Sequence, residues 1–142
     1  MIYPMFAMVL LTAGVLITLF RSRVRAVRAG QLPATYFKTY QGHAEPESAV
    51  KAARHFANLF ESPVLFYAAC LAAMITHISG RGMQILAWMY VIARVIHAIV
   101  HLGRNKLRPR IAVYMFSWLV LLTMWAYLVI EFSLSCPSCS GS

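Results

Sequence analysis

Four largely apolar stretches, near residues 2–20, 57–77, 84–102 and 111–132, are separated by segments that carry most of the charge. Each stretch is about 19–22 residues long, and a helix needs roughly 20 to cross the hydrocarbon core of a bilayer. A backbone in lipid must bond its own polar groups, which a helix does within one segment. The pattern therefore predicts an all-α membrane protein, a single four-helix transmembrane domain over residues 1–142. Only Met1 to Tyr3 precede Pro4, so the first stretch lacks the basic run of a signal peptide, and arginines follow it at once. It reads as a retained span.

Turn and breaker residues refine the elements. Gly30, Pro33 and Gly42 punctuate the segment after the first span. Pro46 suits a first helical turn, with Glu47 beside it, so the second helix is expected to start before the membrane. Pro63 is expected to kink that helix about a third of the way along and free a backbone carbonyl.

The polar residues inside the spans are few and periodic. Arg54, Asn58 and Glu61 follow i, i+4, i+7, and Arg94, His97 and His101 follow i, i+3, i+7, so each set is expected on one helical face. Arg104, Asn105 and Arg108 continue the second stripe if that helix persists. At 1.5 Å per residue, Arg94 lies about 12 Å inside its end of the third span and Glu61 about 10 Å beyond Arg54. The second and third spans run antiparallel, which brings the opposite charges to similar depth. Ionisable groups are costly there without a partner, so Glu61 is expected to face Arg94. Asn58, His97 and His101 extend the pair into a polar wall able to receive a polar ligand.

Composition agrees with this picture: 61% of the residues are hydrophobic and 12% charged, with a net charge of +9. Soluble domains average about 45–50% apolar and about 25% charged. The basic residues sit in loops between apolar stretches, which argues against a nucleic-acid partner. Arg21, Arg23, Arg25, Arg28, Lys38 and Lys51 follow the first span, and Arg104, Lys106, Arg108 and Arg110 follow the third. By the positive-inside rule these two loops face the cytoplasm and both termini face outward. His97, His101 and Glu61 hold too few fixed ligands to predict a metal. His43, His55 and His77 read as loop or interfacial residues. Cys70 reads as a packing residue, and the Cys136–Cys139 pair as an outward tail able to form a disulfide.

Two motifs carry a family resemblance. The second helix opens Arg54-His-Phe-Ala-Asn58-Leu-Phe-Glu61-Ser-Pro63, and the third ends Ala93-Arg94-Val-Ile-His97-Ala-Ile-Val-His101-Leu102-Gly103. The chain resembles the MAPEG family, the membrane-associated proteins in eicosanoid and glutathione metabolism. The third-helix motif is most similar to the version in microsomal prostaglandin E synthase. The resemblance implies a homotrimer of four-helix bundles with its ligand site at the cytoplasmic side; with the termini placed outward by the basic loops, the expectation is a bacterial-type inner-membrane protein with periplasmic termini. The resemblance also implies glutathione as co-substrate, held between subunits by Arg54, Asn58, Glu61, Arg94, His97, His101 and Tyr114. The activating arginine of the family falls on Arg108 or Arg110, depending on which member the count follows. Arg108 is favoured, because it continues the Arg94 stripe if the third helix reaches it; Arg110 gains if that helix ends near Gly103.

His101 stands where the family usually has tyrosine, Pro109 interrupts the arginine region, and the first loop is long. The function implied is that of a glutathione transferase or peroxidase acting on a lipophilic electrophile that arrives through membrane lipid. Two alternatives come from other classes. One is a non-catalytic scaffold that binds lipid or regulates a partner, as one family member does. The other is a quinone-linked thiol oxidoreductase using Cys136 and Cys139.

Overall fold

The computed structural model describes residues 1–42, 44–103 and 107–135. Among them all regular structure is helical: α1 (Ile2–Arg28), the single turn α2 (Tyr36–Thr39), α3 (Glu47–Asn58), α4 (Ser62–Ile75), α5 (Arg81–Leu102) and α6 (Leu107–Ser135). With α3 and α4 taken as one broken rod, four helices are long and apolar enough to cross a membrane. The four-helix reading therefore stands. The ends differ from the apolar stretches, because α1 runs on past its apolar residues at its C-terminal end and α6 at both ends.

The break in the second rod lies at Leu59–Glu61, just ahead of the expected kink. Pro63 has no N–H to continue the ladder and its ring crowds the preceding turn. The chain tightens into i→i+3 bonds there, Leu59 N–H to Phe56 O at 3.1 Å and Phe60 N–H to Ala57 O at 2.9 Å. It restarts with Pro63 in the first turn of α4, where an N–H would be unbonded in any case. Pro109 likewise sits in the first turn of α6 and begins a helix rather than interrupting one.

α5 is the axis of the bundle and touches α1, α3, α4 and α6. Its buried residues Met83, Ala87, Tyr90, Arg94, His97 and His101 recur every three or four positions, one stripe facing inward. The first half of that stripe joins Met8, Val15, Phe66, Leu121 and Met124 in an apolar core. Tyr90 stacks on Phe66, with centroids 4.5 Å apart and planes 12° from parallel. Its hydroxyl shares a 2.9 Å hydrogen bond with Ser62. α5 ends at Leu102, where Gly103 is needed: a Cβ there would lie 2.8 Å from the Ile99 carbonyl oxygen. The expectation that the third helix carries its stripe on to Arg108 is therefore not met, since α6 has already begun at Leu107.

A second, small core lies beyond the apolar part of α1. Ala26, Leu32 and Tyr36 are buried together, with Phe37 against them. This core folds the segment after α1 back onto its last turns. His43, Arg104, Asn105, Lys106, Cys136 and Cys139 lie outside the described residues.

Candidate functional site

Breaking the rod at Leu59 leaves the Asn58 carbonyl without its usual i+4 donor. Arg94, on the facing helix α5, supplies one, its guanidinium Nη2 donating to Asn58 O at 3.0 Å. Arg94 is fully buried. Its Cζ lies 5.8 Å from the centroid of the Tyr114 ring, from α6. Its Nε and Nη1 have no hydrogen-bond partner. One carbonyl and one aromatic face are a sparse shell for a buried cation, whose desolvation costs several kcal/mol. Two buried donors are thus left without an acceptor among the described residues.

Glu61 does not supply it. Among the described residues the ion pairs within 4.0 Å are Arg23–Glu45 and Lys51–Glu47. The Glu61–Arg94 pair expected from their depths is thus not formed within the subunit. The physical reason is the break. The i, i+4, i+7 stripe assumed a continuous helix, whereas Glu61 caps the start of α4 and is exposed. Its carboxylate instead accepts a long hydrogen bond from the Tyr114 hydroxyl, 3.5 Å.

Tyr114 links this layer to a histidine cluster. Its ring centroid is 5.5 Å from that of His97. His97 and His101 are 5.6 Å apart, and His55 from α3 completes the group at 5.4 Å from His97 and 5.0 Å from His101. All three are buried, and both ring nitrogens of His55 lack a hydrogen-bond partner. The placement of His55 corrects the reading of it as a loop or interfacial residue. Ala49, Ala52 and His55 recur every third position with Leu59 beyond, and all are buried. That inward stripe of α3 lies beside the face of Arg54, which is exposed. His77 does lie exposed at the turn after α4. No group of three His, Cys, Asp or Glu among the described residues is arranged to hold a metal.

The arginines of the α5–α6 corner separate by position. Arg110 is half-buried and approaches both His97 and His101, its backbone lying against His97. Arg108 is exposed on the first turn of α6. With α5 ending at Leu102, the premise on which Arg108 was favoured is not met, and Arg110 is the arginine near the histidines. Arg54 and Lys51 lie at the rim near His101, with Arg54 exposed.

The structure therefore brings Asn58, Glu61, Arg94, His97, His101, Tyr114 and Arg110 into one polar layer, adds His55 and leaves Arg108 aside. Donors without partners, a rim of cations and an accessible carboxylate suit a zwitterionic ligand with carboxylates. The sequence model of the MAPEG family matches residues 1–130. No curated protein and no solved structure matches the chain.

Proposed function

Because the chain belongs to the MAPEG family, we propose that this integral membrane protein binds glutathione in the polar layer and directs its thiol at a lipophilic electrophile. Glutathione, when bound, supplies a sulfur nucleophile with two carboxylates and an ammonium as handles. Arg94 carries the reading: a fully buried guanidinium with two donors unpartnered is costly unless a ligand completes its shell. In this reading Arg94 and Arg54 take the carboxylates, Glu61 takes the ammonium, and Asn58, Tyr114, His97 and His101 line the peptide. Arg110 stabilises the negative sulfur by its charge, so that the thiol proton is released to solvent at neutral pH. The electrophile reaches the sulfur from the bilayer. Glu61 and Arg54 are exposed at the edge of the layer, which agrees with a ligand shared between neighbouring copies of a homotrimer.

The test is an ultraviolet difference spectrum on adding glutathione to the purified protein in detergent. A free thiol of pKa near 8.5 is only a few per cent thiolate at neutral pH. A saturable thiolate band well above that of free glutathione is expected. If no such band develops, the glutathione reading fails and a non-catalytic lipid-binding scaffold takes its place.

A further inference from the structure

α1 continues for two turns beyond Phe20, the last residue of its apolar stretch. Phe20, Val24 and Val27 recur at spacings of four and three, so they share one face. Arg28 ends that face, about 12 Å above Phe20 at 1.5 Å per residue. Such a rise runs from the hydrocarbon edge through the headgroup layer. α2 folds back against this face. Tyr36, Phe37 and Tyr40 pack edge to face, with centroids 5.3 to 6.0 Å apart. The Arg23 guanidinium lies 5.2 Å from the Phe37 ring and 5.4 Å from the Tyr40 ring. It donates to the Tyr40 hydroxyl at 3.3 Å and to Glu45 at 3.4 Å. Tyr40 takes a left-handed backbone, φ 56°, to hold its ring there.

These contacts wall a groove of about 470 Å³, with Phe20, Val24 and Val27 on one side and Phe37 and Tyr40 on the other. Its volume is that of a small-ligand site. Phe20 and Tyr40 are 68% and 53% exposed, apolar surface at the height where α1 leaves the membrane. The charges nearby are one-sided. Glu45 and Glu47 are already paired with Arg23 and Lys51. Arg28 lines the groove and is exposed, and Arg21 and Arg25 follow the same helix end.

We propose that this groove binds one anionic phospholipid from the leaflet on the side of the α1 C-terminus. The start of an acyl chain lies along Phe20 and Val24, the phosphate meets Arg28, and the aromatic wall closes over the glycerol region. The apolar walls select a lipid over a soluble anion, and the unpaired arginine selects an anionic headgroup over a zwitterionic one.

Native mass spectrometry of the detergent-solubilised protein tests this with phosphatidylglycerol, phosphatidylcholine and glycerol phosphate as probes. Phosphatidylglycerol is expected to be retained over both others. Arg28→Gln should weaken its retention about fivefold, the effect of one basic residue at a lipid surface. Val27→Trp fills the groove without changing charge and should also weaken it. Arg25→Gln, a basic residue on the same helix end but outside the groove, should leave retention unchanged. Equal retention of phosphatidylcholine, equal binding of glycerol phosphate, or unchanged retention in both groove variants would overturn the proposal. So would an Arg25→Gln loss as large as that of Arg28→Gln, which would mean diffuse surface attraction.

Discussion

Along α5, Met83, Ala87 and Tyr90 are buried as completely as Arg94, His97 and His101 a few turns further on. In the first half every demand is met inside the chain. Methionine and alanine pack, and the one phenol finds Ser62. In the second half a guanidinium has one carbonyl and two idle donors, and His55 beside it has none of its ring nitrogens bonded. The same helix, at the same burial, thus builds a core whose polar groups are bonded and a polar layer in which several are not. Idle buried donors are a cost to folding, and they are what an incoming ligand can repay. The first half is built for stability, and the second is where the proposed ligand would be held.

The largest effect expected from that division comes from exchanging its two anchors. Phe66→Ala empties the apolar half and should cost about 3–5 kcal/mol, read as a marked fall in melting temperature. The glutathione thiolate band per folded molecule should survive. Arg94→Met keeps a long side chain but removes a poorly compensated buried charge, so stability should hold or rise. Its thiolate band should disappear. The comparison breaks if Arg94→Met unfolds the protein as Phe66→Ala does, for Arg94 is then structural.

A smaller effect sharpens the comparison within the polar half, between Arg110 and Arg108. A cation beside sulfur favours the thiolate and lowers the thiol pKa, so removing it raises that pKa and lowers the thiolate fraction at neutral pH. Arg110→Ala should raise the bound thiol pKa by about one unit, equivalent to about 1.4 kcal/mol. Arg108→Ala should leave it unchanged, because that side chain is exposed and off the layer. Titration of the bound thiol in both variants decides it. A rise in Arg108→Ala alone would reverse the assignment and place the sulfur outside the histidine cluster.

How much of this was legible in the sequence follows from what each residue depends on. The four membrane-length helices and the inward face of α5 rest on local periodicity, and both were readable. Arg94, His97 and His101 lie within one unbroken helix, so their spacing mapped directly onto space. Glu61 did not, because Pro63 ends the first helix at Asn58 and restarts it at Ser62, which turns everything beyond the break. The kink was legible but its consequence for the Asn58 carbonyl was not, since that needs the facing helix. His55 was missed for a related reason. Alanine at positions 49 and 52 is a faint apolar signal, and only packing against α5 shows that this face turns inward. The groove on α1 depends on a chain reversal between Arg28 and Tyr36, which no periodicity announces.

The smallest effect expected is at Glu61, and it tests whether the break has separated this carboxylate from the buried layer. Were Glu61 the counterion of Arg94, Glu61→Gln would strand a buried charge and cost about 3–5 kcal/mol. The structure leaves it exposed, with a 3.5 Å hydrogen bond from Tyr114 and no ion pair within 4.0 Å. An exposed carboxylate of that kind contributes about 0–1 kcal/mol, so the melting temperature of Glu61→Gln should barely move. Glutamine keeps the shape and an acceptor oxygen but loses the charge that would meet the ammonium of glutathione. Affinity should therefore fall, by about tenfold if a charge-assisted hydrogen bond worth about 1.5 kcal/mol is lost. The thiolate band at saturation should persist, because Arg110 is untouched. Melting and glutathione titration of the same preparation separate the two roles. A large drop in melting temperature would mean that Glu61 turns inward in the assembled protein and pairs with Arg94 across subunits.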